Sequence, residues 1–146
     1  MDIPILGRWR KRRGGAGGGA AVFEGEDDPA ATADLFSECA LLRSQAARAG
    51  VRLDDSAASL EALDQLPPRW RDEEDLLPWL GNDAGLYLGT IVVRTVPGAG
   101  WEILPGGRPV VRLASGREID VVSAGHAWAE SGVPELSQLY AEIAES

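Results

Sequence analysis

The spacing of the apolar residues changes near residue 100, and this change limits the fold more than any other feature. Before Pro97 the apolar residues recur every three or four positions, which is the period of an α-helix. From Trp101 onward they alternate with charged residues, as in the runs WEI (101–103) and VRL (111–113). Alternation with period two is typical of a strand with one buried face. The sequence therefore predicts an α+β domain: N-terminal helices, a three-stranded antiparallel β-meander, and a C-terminal helix.

The meander is predicted to occupy residues 101–122, and its register follows from the buried face. Pairing Val111 with Ile119 turns both side chains inward and sets Arg112 beside Glu118 on the outer face. This register leaves a three-residue loop that ends in glycine, where a left-handed backbone is needed. A two-residue loop would mix apolar and charged residues on one face.

Helices are predicted before and after the sheet in the sequence, with proline and glycine at their ends. The third helical region contains Pro78 and Gly81, so we expect a break near 81–82. Pro67 and Pro68 are expected to end the second helix. The predicted helices cover residues 29–49, 57–66, 72–80, 83–95, 124–131 and 134–145.

Charge and glycine content separate the N-terminal segment from the rest. Residues 1–13 hold five basic residues against Asp2, a net charge of +4, whereas the whole chain carries −9. The remaining residues therefore carry −13. Residues 14–20 read GGAGGGA, the composition of a flexible linker. We predict a basic flexible tail with a Gly-rich linker over 1–22 and a single α+β domain over 23–146.

The tail combines apolar anchors with basic side chains, which indicates a docking element; the alternative is a disordered start that only aids solubility. Its partner is expected to be a protein with an acidic groove, with weak contact to an anionic membrane surface as a further possibility. The acidic body disfavours a nucleic-acid partner, because duplex binding needs a basic face. The predicted docking residues are Ile5, Leu6, Arg8, Trp9, Arg10, Lys11, Arg12 and Arg13.

The sequence assigns no catalytic, cofactor-binding or metal-binding residue. His126 is the only histidine, no G-x-S-x-G motif exists, and Cys39 is predicted on a buried helix face. His126 and Glu130 could share a helical face, but two ligands do not complete a zinc site. The acidic runs 26–28 and 72–75 lack the order of a calcium loop. They are interpreted as a solvated loop and a helix start.

Two glycines in a predicted helix, Gly85 and Gly89, stand on either side of Tyr87. Each glycine costs a helix about 1 kcal/mol relative to alanine, so such positions need a reason. Close packing against another element is the favoured interpretation. A groove for a ligand or a peptide is the alternative.

The run GLYLG at 85–89, followed by Arg94, Gly98 and Trp101, resembles a pattern in small uncharacterised actinobacterial domains, as does the WRKRR start. The resemblance covers roughly residues 35–145 and the start of the chain. It implies helices followed by a short antiparallel sheet. It implies no activity, catalytic residue or cofactor.

Three functional hypotheses follow, with a cytoplasmic location expected from a single cysteine and from a start that makes a poor signal peptide. The first is a non-enzymatic interaction or regulatory module with a basic docking tail. The second is an enzyme whose site uses carboxylates and arginines such as Arg94 and Arg112. The third is a nucleic-acid-associated protein that acts through the tail.

Overall fold

Helices flank a small sheet in the computed structural model, which describes residues 29–145. N-terminal helices, three antiparallel strands and a C-terminal helix are all present, so the predicted α+β class is confirmed. The helices are α1 (Pro29–Phe36), α2 (Ala40–Arg48), α3 (Ala57–Leu63), α4 (Pro67–Trp70), α5 (Leu77–Thr95), α6 (Val121–Ser131) and α7 (Leu136–Ala144). The strands are β1 (Gly100–Leu104), β2 (Arg108–Arg112) and β3 (Glu118–Ile119).

The strands pair in chain order, and both pairs are antiparallel. Val111 pairs with Ile119 and Arg112 pairs with Glu118, which confirms the predicted register. Gly116 ends the second turn with a φ of +93°, a backbone conformation that favours glycine. The alternation of apolar and charged residues was therefore sufficient to align β2 with β3.

The third strand is shorter than predicted, because a helix begins at Val121. Asp120 caps that helix: its carboxylate accepts a hydrogen bond from the main-chain N–H of Ser123 at 3.1 Å. An aspartate at this position satisfies a donor that has no partner within the helix. The run ID-VV therefore crosses from strand to helix, and α6 begins three residues before the predicted 124.

The longest helix, α5, runs through the centre of the domain. Every residue from Leu80 to Val92 is buried, because other helices and the sheet cover α5 on all sides. The predicted break near 81–82 is wrong. Pro78 lies in the first turn, where its missing N–H would have no partner within the helix. Gly81 is helical because a neighbouring helix approaches it closely.

That neighbour is α6, which packs along α5 at main-chain distance. A Cβ at Gly81 would lie 2.8 Å from the Cα of His126 and 3.2 Å from the carbonyl oxygen of Gly125. A Cβ at Gly125 would collide with the main chain of Gly81 and Gly85. Three glycines on two helices therefore create the contact, and each stands where any side chain would separate the helices.

The predicted first helix, 29–49, is two helices. The chain leaves α1 after Phe36 and starts α2 at Ala40, with Cys39 in a left-handed conformation at φ +40°. The carboxylate of Asp83 on α5 accepts a hydrogen bond from the main-chain N–H of Leu42 at 3.1 Å. Asp83 thus caps the start of α2 although it is 41 positions from Leu42 in the sequence. No local sequence pattern could predict this contact.

The second predicted helix, 57–66, ends earlier than expected at Leu63. Leu60, Leu63 and Leu66 are all buried, as a helical period requires. The prediction that Pro67 ends this helix is wrong. Pro67 begins the short helix α4, since proline is suited to a first helical turn.

Candidate functional site

A carboxylate with two arginine partners lies beside the central helix. Asp55 accepts a hydrogen bond from Arg43 of α2 at 2.9 Å and another from Arg94 of α5 at 2.7 Å. Its main-chain N–H donates to the hydroxyl of Tyr87 at 2.8 Å. Asp55 itself has a φ of +65°, which is uncommon outside glycine. These contacts tie the loop before α3 to both α2 and α5.

The ionisation of Asp55 suits this structural role. Burial acts to raise the pKa of its carboxyl group, but the hydrogen bonds and positive charge of Arg43, with Arg94 and Tyr87, lower that pKa below its ordinary value. A general base works best when its pKa lies near the operating pH. Asp55 is therefore better suited to hold the loop than to transfer a proton.

Next to this ion pair, α2 and the segment that follows it form an open groove of about 470 Å³. Pockets of about 300–1,000 Å³ are typical of binding sites. Val51 and Leu53 are half-buried and pack against the core. We call this feature the arginine groove; it is lined by Arg43, Ala47, Gly50, Val51, Arg52 and Leu53.

The two arginines of the groove have different environments. Besides its ion pair, the guanidinium of Arg43 donates to three main-chain carbonyl groups. They belong to Ser37, Glu38 and Leu53, at 3.0, 3.1 and 3.5 Å. Arg52 is exposed, and within residues 29–145 its side chain forms no hydrogen bond or ion pair. Arg43 is thus a fixed wall of the groove, and Arg52 is available to a ligand.

The groove lies in a positively charged stretch of an acidic protein. Residues 39–53 contain Arg43, Arg48 and Arg52 and no acid, although the chain as a whole carries −9. A charge count divided only between the tail and the rest of the chain does not indicate this site. The absence of acids from 39 to 53, followed by the alternation V-R-L after Gly50, was the signal that could have indicated it.

The residues predicted on α5 contact different neighbours. A Cβ at Gly85 would collide with the main chain of α6, at 2.7 Å from the Cα of Val122. A Cβ at Gly89 would collide with the indole ring of Trp101. Tyr87 is fully buried, and its hydroxyl reaches the loop before α3. The motif GLYLG therefore turns its glycines toward α6 and β1, and its tyrosine toward the arginine groove.

The buried pair Cys39 and Asp83 lies between α1, α2 and α5. The thiol of Cys39 contacts the carbonyl oxygens of Phe36 at 3.3 Å and Asp83 at 3.4 Å. Burial, followed by the charge of Asp83, raises the pKa of the thiol well above its ordinary value. Because the thiolate is the reactive form, Cys39 is placed as a core residue.

The arginines proposed for an enzyme site, Arg94 and Arg112, have different ion-pair partners. Arg94 pairs with Asp55, as described above. Arg112 lies on the outer face of the sheet, where its guanidinium donates to Glu102 at 2.7 and 3.1 Å and to Glu118 at 2.6 Å. The two arginines therefore belong to separate ion-pair clusters.

The remaining candidates are distributed over the surface. His126 is half-exposed on α6, next to Gly81, and the acids of 72–75 are exposed in the turns before α5. Among residues 29–145, no three His, Cys, Asp or Glu side chains are grouped to hold a metal ion. The predicted docking residues Ile5, Leu6 and Trp9 and the basic positions of 8–13 lie outside the described residues.

A family model covers the whole chain. The model describes a family of unknown function, DUF6278, and it matches residues 1–146. The chain belongs to this family. DUF6278 thus confirms the resemblance to an uncharacterised domain family, and its match includes the basic N-terminal segment.

Membership of DUF6278 identifies no substrate or partner, because the function of the family is unknown. The arginine groove is therefore the basis for the function proposed below. No curated protein and no solved structure shows significant similarity to the chain. In the part of the chain that the structure describes, no helix is both long and apolar enough to cross a membrane.

Proposed function

We propose that this member of DUF6278 is a non-enzymatic interaction module that binds a protein partner in the arginine groove. The observation that carries the proposal is the pairing of a half-buried apolar floor, Val51 and Leu53, with an exposed arginine, Arg52, that has no bond within residues 29–145. Apolar floors with a few polar groups are typical of binding sites. Arginine is also the cation that pairs best with carboxylates, through its planar fork of donors.

Charge favours this surface over the others. Most of the protein is acidic and would repel an acidic partner, whereas residues 39–53 carry three arginines and no acid. Electrostatic complementarity mainly gives an interface its orientation and its rate of association. The half-buried Val51 and Leu53 supply the apolar contact on which affinity depends.

The basic tail, residues 1–13, is proposed as a second docking element. Its apolar residues and its net charge of +4 suit an acidic protein surface, or weak contact with an anionic membrane. Two weak contacts on one chain reinforce each other when both can be made at once. A cytoplasmic location and an actinobacterial origin are proposed along with this function, and a nucleic-acid partner is disfavoured.

The guanidinium groups of Arg94 and Arg112 form ion pairs within the protein, whereas an enzyme site would direct them toward a substrate. Arg94 holds the loop before α3 through Asp55, and Arg112 joins the strands through Glu102 and Glu118. Both arginines therefore have intramolecular partners that stabilise the fold. This arrangement supports the interaction module over the enzyme.

The test is to recover full-length tagged protein from its native cells and quantify what is bound to it. Arg52→Glu should lose a protein that the wild type retains, because it reverses the charge of the groove. Arg69→Glu is the matched control, since Arg69 is exposed on α4 and outside the groove. Identical sets of bound proteins for all three forms would contradict the proposal.

A further inference from the structure

Residues 51–54 form a segment without a turn or bend, and its first three residues line the arginine groove. Val51 and Leu53 are half-buried, whereas Arg52 and Asp54 are exposed, and the backbone has no turn or bend between them. Alternation with period two is the pattern of a strand. No strand of the described chain pairs with this segment.

Hydrogen bonds hold both ends of the segment and the carbonyl group of Leu53, which accepts from Arg43. The N–H of Val51 donates to the carbonyl of Ala46 at 2.8 Å, and the N–H of Asp54 donates to the hydroxyl of Ser59 at 2.9 Å. Within residues 29–145, the N–H and the carbonyl group of Arg52 have no hydrogen-bond partner. One residue with both groups free can exchange two hydrogen bonds with a residue on an antiparallel strand.

We infer that the arginine groove binds an extended acidic segment of a protein partner, which pairs as a strand with residues 51–53. This inference rests on the proposed function and deepens it. Addition of a strand to an exposed edge is a general mode of peptide recognition, in which main-chain bonds give affinity and alternate side chains give specificity.

The alternation along the segment determines the chemistry of its occupant. The residue opposite Arg52 faces a guanidinium that has no partner within residues 29–145, and it is acidic, because opposite charges on facing strands attract. Its two neighbours lie on the other face, beside Val51 and Leu53, and are apolar. The recognised pattern is therefore apolar–acidic–apolar.

The surroundings of the segment favour this occupant. Arg43 and Arg48 add positive charge, and residues 39–53 contain no acid. At Gly50, which lines the groove, a Cβ would have nothing within 4 Å, so no described residue covers that position. Two acids end the stretch: the exposed Asp54 accepts hydrogen bonds from Ser56 and Ser59, and the half-buried Asp55 is already paired with two arginines.

The test uses full-length protein and a fluorescein-labelled peptide, GVEVEVG. Fluorescence anisotropy should show binding of this peptide and little binding of GVKVKVG. A form of GVEVEVG that is N-methylated at both glutamates should bind at least about tenfold more weakly, because the residue opposite Arg52 can no longer donate its N–H to the Arg52 carbonyl group. Arg52→Glu should lower the affinity for GVEVEVG by about tenfold or more and raise the affinity for GVKVKVG. Arg69→Glu should change neither affinity.

Several results would overturn the inference. Equal binding of the acidic and lysine peptides would show that charge does not contribute to recognition. Unimpaired binding of the N-methylated peptide would show that the peptide does not pair as a strand. Failure of GVEVEVG to bind would overturn it as well. If Arg52→Glu still loses its cellular partner in any of these cases, the proposed function stands and only the acidic-strand occupant is wrong. Because Arg52 is exposed and its side chain has no bond within residues 29–145, Arg52→Glu should fold as the wild type does, and thermal melting checks this.

Discussion

The indole nitrogen of Trp128 donates a hydrogen bond to the carboxylate of Asp64 at 2.9 Å. The same carboxylate accepts hydrogen bonds from the main-chain N–H groups of Leu136 at 2.8 Å and Ser137 at 3.2 Å. One acid at the end of α3 thus caps the start of α7 and satisfies a buried tryptophan of α6. This single side chain joins α3 to two helices that are distant from it in sequence.

Replacing Asp64 should destabilise the folded protein. We expect Asp64→Ala to lower the free energy of unfolding by about 2–4 kcal/mol, because a helix cap is lost and the buried indole N–H of Trp128 is left without a partner. Chemical denaturation measures this value. Glu61→Ala, an exposed acid on the same helix, is the control and should change stability by less than about 0.5 kcal/mol. Equal effects for the two variants would contradict the role of Asp64.

Close contact between α5 and α6 should make Gly85 intolerant of a side chain. Gly85→Ala should cost about 1–3 kcal/mol despite the better helix propensity of alanine, because the new Cβ meets main chain that cannot move away. Gly100→Ala, where a Cβ would have open space, should be tolerated. If Gly85→Ala keeps its melting temperature but loses ligand binding, the glycines line a groove instead.

The pH dependence of stability should change in Asp83→Asn. Burial raises the pKa of Asp83 above its value of about 3.9 in an unfolded chain, and the hydrogen bond from Leu42 opposes this shift only in part. The folded state therefore holds the proton more tightly. Stability from the protonated carboxyl is fully present below about pH 3.9 and is lost as the pH rises through the folded-state pKa.

Asparagine keeps an acceptor for Leu42 without titrating. Relative to Asp83→Asn, the wild type should therefore lose free energy of unfolding as the pH is raised from about 4 toward neutrality. Urea denaturation across this range measures the difference. Asp34→Asn, an exposed position on α1, should follow the wild-type profile. Parallel profiles for wild type and Asp83→Asn would show that burial does not control this carboxyl group.

The thiol of Cys39 should react slowly in the folded protein. It is buried and its pKa is raised, so both access and the thiolate fraction are low. A thiol-reactive disulfide reagent at neutral pH should modify native protein far more slowly than protein unfolded in urea. Equal rates in the two states would place Cys39 at an accessible site.

The tail should bind anionic vesicles without contributing to the fold. In full-length protein, Arg10→Gln, Lys11→Gln and Arg12→Gln together should abolish a salt-sensitive association with vesicles that contain anionic lipid, since each basic residue contributes about 1 kcal/mol there. The melting temperature should not change. Vesicles of neutral lipid are the control. A lower melting temperature in the triple variant would mean that the tail belongs to the domain.

Some of the fold could be predicted because local chemistry decides it. The register of β2 and β3 follows from alternation and from the position of Gly116, which are both properties of a few neighbouring residues. The predicted break in α5 failed for the opposite reason. Gly81 lowers the helix propensity of its own segment, but packing against α6 outweighs this cost.

The candidate site was harder to predict than the fold. Arg43 and Arg52 are nine positions apart and look alike in sequence. Only the tertiary structure shows that one is enclosed by carbonyl groups and Asp55, whereas the other is exposed without a partner in the described chain. A charge count over shorter segments could have indicated a positive stretch, but not which of its arginines a ligand would meet.

By itself, the sequence determined the α+β class, the order of its elements and the alignment of two strands, because periodicity and turn residues act over a few positions. The tertiary structure decided where α1 ends and α2 begins, how α5 continues through Gly81, and where the arginine groove lies. In each case the deciding contact joins distant residues, as Asp83 does in capping α2 at Leu42. Such contacts form only when the chain folds, and their energies exceed the local preferences that a sequence displays.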